Sequence, residues 1–264
     1  MMRDRLLPPA ASTLVLTVML GVTVHPVRAS AADDAPAVIS TSVSTERHQL
    51  SRGGPDWSES VFQLQRTRGP RQVAELSLTQ SSRFGLHDDQ VGAQYSQALT
   101  EDLTASAQAS SSSSHHFLPR HSLGALLQYE FAPAWLLHFG STHRQYTDLR
   151  TVQATLMLER YVAAFSWALA WRPVRALGRE AASTELRANY YYADRSFLGL
   201  SVSTGQEATQ VTPSTVALID VESIGFKGRH QLTQAWIFNY ALSSTRQGDF
   251  HIRNGLLIGA QYLF

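Results

Sequence analysis

The chain has 264 residues, 44% of them hydrophobic, no cysteine and a formal net charge of +1. That balance excludes a disulfide framework, thiolate metal centres and a cysteine nucleophile, and it leaves no electrostatic footprint for nucleic acid. The basic residues are arginines with one exception, Lys227.

In chain order, Arg3 and Arg5 form a short basic head, residues 10–24 (AASTLVLTVMLGVTV) an apolar core, and ASA at 29–31 a small-residue end. A signal peptidase reads those three parts in that order. Pro26 and Arg28 cut the apolar run short of the roughly 20 residues that a membrane-anchoring helix needs. Residues 1–31 are therefore expected to be a cleavable signal peptide, 32–36 a short periplasmic leader and 37–264 one domain. No later run is apolar and long enough for a transmembrane helix.

From residue 37 onward, apolar and polar residues alternate with period two, the mark of strands with one face in each environment. In WIFNYAL, Trp236, Phe238, Tyr240 and Leu242 share one side, opposite Asn239, Ala241 and Ser243. TVQATLMLE and LGALLQYEF repeat the pattern. The spacing predicts strands over 37–49, 57–67, 72–83, 89–98, 103–112, 121–131, 135–146, 149–160, 162–172, 183–192, 197–206, 215–230, 234–246 and 251–264. The first and twelfth alternate least cleanly, the twelfth slipping between Val221 and Ile224 as at a bulge, so twelve strands is the alternative to fourteen.

Every second connection is short: RGPR, LTED, APA, RYV, ADRS and LTQ. Those between are often longer and richer in Gly, Pro, Arg and His: SRGGPD, SSHHFLPR, PVRALGREAA and GQEATQVTPS. Bacterial outer-membrane barrels are arranged this way, with the short turns periplasmic. A soluble sandwich would also show period two, but a barrel well above eight strands cannot fill its interior with side chains. Its polar row must face a wet lumen and its apolar row lipid, and open sheet edges are not tolerated in hydrocarbon. The expected fold is all-β, a transmembrane up-and-down antiparallel barrel in the outer membrane of a Gram-negative bacterium. Trp135, Trp236, Phe197, Tyr129, Phe131 and Tyr262 beside the short turns suit an interfacial belt, whereas Trp167 reads as mid-strand.

The last segment, GLLIGAQYLF, puts Tyr262 and Phe264 on the lipid row. With Gly259 they are expected to form the terminal signal read by the barrel-assembly machinery, the final strand closing the sheet against the first.

PDW (55–57), RFG (83–85), HFLPRH (116–121), FGSTHRQY (139–146), ERYVAAFSW (159–167) and YYYADRSFLGLSVSTGQE (190–207), in this order and spacing, resemble the YaiO family of outer-membrane β-barrel proteins. VAA (162–164) stands where that family has a GNY-like stretch. The resemblance implies an outer-membrane barrel, sometimes fused to periplasmic helical repeats and associated with envelope polysaccharide export, with no catalytic residues to carry over. The 264 residues hold no such repeat, so an export role is expected to need separate periplasmic polysaccharide-export components.

Parity sends Glu46, Glu59, Glu75, Glu130, Glu159, Glu185, Asp220 and Glu222 into the lumen, with His138, Arg144, Arg187, Lys227 and Arg253. Both signs together suit ion pairs that brace strands, or a hydrated channel of weak ion preference. Small inward residues (Gly92, Ser96, Ser106, Ser110, Gly124, Gly199, Ser201, Ser203) leave room, unless a loop such as 174–182 folds in. His115, His116 and His121 read as an exposed loop, and His87, Asp88 and Asp89 as a polar loop, at most a weak cation site. No cofactor and no metal site is expected. A Ser/His/acid set is formally available from His121, Ser122, Ser141, His143 and Glu130, but without a nucleophile elbow and without known geometry. The functional expectation is a channel or export conduit for small solutes or saccharides. The alternatives are a non-enzymatic binding or structural barrel and, behind it, a lipid-modifying hydrolase using Ser122 and His121.

Overall fold

The computed structural model describes residues 37–264 apart from 52–55, 70, 148, 177, 213–214 and 250, and apart from the side chains of 208–218. The expected signal peptide and leader lie outside the described residues. The strands are β1 (Val38–Leu50), β2 (Trp57–Arg68), β3 (Gln72–Arg83), β4 (Leu86–Ala98), β5 (Leu103–Ser112), β6 (His121–Ala132) and β7 (Trp135–Gln145). They continue with β8 (Arg150–Val162), β9 (Phe165–Ala176), β10 (Arg179–Ala193), β11 (Ser196–Thr212), β12 (Thr215–Gln231), β13 (Trp236–Gln247) and β14 (His251–Leu263). Each pairs antiparallel with its neighbours in sequence, and β14 pairs with β1 to close a barrel of fourteen strands. The closing seam runs from Ser40 opposite Leu263 to Leu50 opposite Arg253, and the Phe264 amide donates to the Ile39 carbonyl at 2.9 Å. Fourteen strands spaced about 4.8 Å and tilted by about 40° enclose a wall roughly 27 Å across between backbones.

The outward row carries the apolar residues. Leu156, Leu242 and Val202 are 47%, 50% and 48% exposed; in water such a continuous apolar band would be a liability, and in lipid it is the required surface. Aromatic rings ring the periplasmic end, where Trp135 meets Phe131 and Trp167, Phe165 meets Tyr190, and Tyr262 meets Trp236 and Phe264. Trp167 joins this belt because β9 begins at Phe165, two residues from the turn, and is not mid-strand as its spacing suggested. Phe197, also expected in the belt, is buried on the inward row.

Two expected long loops are hairpins instead. β9 runs to Ala176 and β10 starts at Arg179, while β11 and β12 extend to Thr212 and from Thr215. Pro173 made the first read as loop. It is accommodated by a gap: the β8–β9 pairing skips Ala154 and Thr155, level with Pro173 and Arg172, where proline has no amide hydrogen to donate. The bulge expected in β12 is also not there. The β11–β12 register is unbroken from Phe197 to Gln210, and Val221 and Ile224 face opposite sides simply because they are an odd number apart.

Candidate functional site

At mid-height the lumen has two unlike walls. Over β3–β7 the inward row is short and neutral, with Ser77, Thr79, Gly92, Gln94, Ser106, Gln108, Ser110, Gly124 and Thr142 partly accessible. Glycines here let facing side chains interlock: a Cβ on Gly92 would sit 2.5 Å from Ser77 Oγ, and one on Gly124 2.7 Å from Gln108 Nε2. Of the acidic groups on this side, Glu75 accepts from Gln63 (3.0 Å) and Gln65 (3.3 Å). Glu130 points inward near the periplasmic turn and accepts from the Ala134 amide at 3.0 Å.

Over β7–β12 the inward row is charged. His138 Nε2 lies 3.0 Å from Glu159, and the Glu185 carboxylate sits between Arg172 (3.4 Å) and Arg187 (2.6 Å). Arg144 donates to Gln153 at 3.2 Å. His138–Glu159, Arg172–Glu185 and Arg144–Gln153 link adjacent strands, and Arg187 pairs with Glu185 along β10. Glu130, Glu159, Glu185, His138, Arg144, Arg187 and Arg253 stand on the inward row. Asp220 and Glu222 do not. Both are exposed on the outward row, Glu222 paired with Arg246 at 3.3 Å. Parity carried the wrong row through the expected bulge, and those positions lie beyond the apolar band, where the outer surface meets water.

Toward the extracellular end the wall turns inside out. Trp57 is 1% exposed on the inward side, with Phe84 edge-on at 5.2 Å. Phe84 and Gly85 form the whole β3–β4 connection, both at positive φ (55° and 76°), the backbone of a two-residue hairpin turn. A non-glycine residue there costs on the order of 1 kcal/mol, and the ring packed on Trp57 offsets it. The Arg83 guanidinium lies 5.3 Å from the Trp57 ring and 5.0 Å from the Phe117 ring, and 3.7 Å from Glu59, which also accepts from Ser81. Arg253 faces Trp57 from the β14 side at 5.5 Å.

Phe117 and Leu118 reach this cluster because the connection 113–120 folds inward. The fully buried Asp88 carboxylate holds it there, accepting from the amides of His116 (3.0 Å), Phe117 (2.8 Å) and Leu118 (2.8 Å), and from His116 Nδ1 at 2.8 Å. His116 is exposed in this connection, as expected, while the neighbouring Phe117 and Leu118 are buried and His121 lies exposed at the start of β6. Asp88 is the anchor of that connection; among the described residues no group of three acidic or histidine side chains stands ready to hold a metal. Tyr146, just past β7, faces the same cluster. Burial pushes its hydroxyl above the ordinary range, more than Arg144 and Arg83 pull it down, so it stays a neutral phenol.

The formal hydrolase set is dispersed. His121 is exposed on the outward row with its Nδ1 3.2 Å from Ser111, Ser122 is inward, and Glu130 is at the other end of β6. Trp57, Arg83, Arg172 and Arg229 were within reach of parity counting. Asp88 and Phe117 were not, since their roles depend on a connection docking onto a strand about thirty residues away in sequence.

A closed antiparallel barrel with an apolar outer band, an aromatic belt and a polar interior is an outer-membrane β-barrel. The YaiO membrane beta barrel domain matches residues 39–210, from β1 through most of β11, and the chain belongs to that family. No curated protein sequence matches it. Among solved structures, the CymD monoaromatic hydrocarbon channel superposes with a TM-score of 0.61 at 10% identity, over 87% of this chain and 89% of the other. A bacterial polysaccharide outer-membrane secretin gives 0.61 at 8% identity, over 86% and 98%. An outer-membrane channel from Pseudomonas putida F1 gives 0.55 at 11%, over 90% and 100%. At such identities the likeness is one of fold.

Proposed function

We propose that the barrel is a channel for small polar solutes or saccharide chains in a Gram-negative outer membrane, held shut at its extracellular end by residues 113–120. One contrast carries this reading. On the β3–β6 wall the inward side chains at mid-height are short and partly accessible, whereas those around Trp57, Arg83 and Phe117 are buried. A wall of this width lined with Ser, Gly and Gln cannot pack dry. The named neighbours, a hydrocarbon channel and a polysaccharide secretin, support conduction as a use of this fold and say nothing about the solute here. As an export conduit it would need a periplasmic partner.

Planar-bilayer recording tests the reading. Wild type should pass little current, and Asp88→Ala or Phe117→Ala should give stepwise conductance. Folded protein that stays silent in all three forms, at every voltage, removes the channel. A second reading, a closed binding barrel, draws on the packed extracellular end; it expects deletion within 113–120 to leave assembly intact and the barrel non-conducting.

A further inference from the structure

We propose that the inner wall along β10–β12 is an anion-binding ladder centred on Lys227, and that the solute it takes carries a carboxylate or phosphate group. This rests on the channel reading and names the chemistry of its site.

Arg229 and Lys227 occupy successive inward positions of β12, about 6.7 Å apart along the strand. Arg187 stands one level up on β10, opposite Ser201. Between the two strands, β11 presents Gly199 opposite Lys227 and Ser201 opposite Gly225, so the Lys227 side chain leans over a floor of small residues, while Arg187 reaches the other way, to Met157 on β8. A Cβ on Gly199 would meet Lys227 Cε at 3.0 Å.

The acidic groups nearby are already taken: Glu185 lies between Arg172 and Arg187, and Glu159 faces His138. Arg229 is hydrogen-bonded, among the described residues, only to the neutral Gln261, at 2.9 Å. Among the described residues Lys227 has no hydrogen bond and no ion pair; its Nζ lies 5.4 Å from the Phe197 ring. A cation–π contact of this kind offsets only part of the cost of removing an ammonium from water. The one lysine of the chain is thus kept, partly desolvated, with Glu185 and Glu159 attracting it only from beyond ion-pair distance and Arg187 repelling it. Arg195, in the β10–β11 turn, lies close enough to Arg229 to repel it. Surplus positive charge therefore runs from the periplasmic mouth inward. A passing anion supplies what this row lacks.

The test uses the full barrel, as wild type or Asp88→Ala, whichever conducts. In a potassium chloride gradient the reversal potential should show chloride preferred over potassium. Lys227→Glu should lower that permeability ratio roughly threefold or more, Lys227→Arg should keep it, and Glu222→Gln, on the outer face, should leave it unchanged. Trigalacturonate and inorganic tripolyphosphate then serve as blockers, and as titrants of the detergent-solubilised barrel by calorimetry. Block or binding by the first alone assigns a sugar acid, by the second alone a phosphate, and by both the shared anionic group; each should be lost in Lys227→Met. A conducting barrel that prefers potassium, or whose selectivity ignores Lys227, overturns the ladder and leaves the channel standing. Silence in every form removes the channel, and absence of calorimetric binding to both probes then removes the ladder too.

Discussion

On β12, Ile224 faces outward and Ser223 inward, as on the strands at mid-height; a few residues nearer the extracellular end, Asp220 and Glu222 face outward and Ile219 and Val221 inward. The strand does not change its geometry between the two regions. Its surroundings change, from acyl chains outside and water inside to water outside and packed side chains inside. The lower region is a membrane barrel, and the upper one a small water-soluble sheet with a core of its own. Trp57, Val174 and Ala181 belong to that core, on other strands that rise above the band.

The largest expected effect attacks the upper core. Trp57→Ala removes the ring on which Arg83, Arg253 and Phe84 converge and should cost about 3–5 kcal/mol in unfolding free energy, as large buried aromatics do. Urea titration of the refolded barrel measures it; a loss under 1 kcal/mol would mean that no such core exists. The lower region breaks by the opposite substitution. Leu156→Arg places a charge in the lipid band and should cost about 2–4 kcal/mol, whereas Glu222→Arg, on the same outer face but above the band, should stay within about 0.5 kcal/mol. Equal costs at both positions would erase the distinction between the regions.

Smaller and more local is Asp88→Ala. It strands three amide donors and should cost about 1–3 kcal/mol, read as faster hydrogen exchange at residues 116–118 and protease cleavage within 113–120, with the remaining strands still protected. Unchanged exchange there would show that the connection is held by Phe117 and Leu118 alone. Smallest is the exposed Arg246–Glu222 pair: a double-mutant cycle should return no more than about 1 kcal/mol, falling with salt.

Much of this was legible in the chain. Period two gave the strands, their number and the row that meets lipid, because side chains on a strand alternate without exception and the two solvents differ so strongly. It also put Glu185, Arg187 and His138 inside. It failed where its premise failed: beyond the band, Val221 and Glu222 keep the alternation but exchange solvents, so the apolar row points in. It failed too where Pro173 and a run of charge looked like a loop, since a hairpin standing in water tolerates both.

What the sequence determined alone was a closed, lipid-facing sheet, since backbone amides in hydrocarbon leave a polar-lined strand array no other way to satisfy itself. Only the tertiary structure decided what happens inside it: that Asp88 draws residues 116–118 into the extracellular end, that Arg83 lies between Trp57 and Phe117, and that Lys227 makes no hydrogen bond or ion pair among the described residues. Those are contacts between strands and connections far apart in the chain, and periodicity, which is local, carries no record of them.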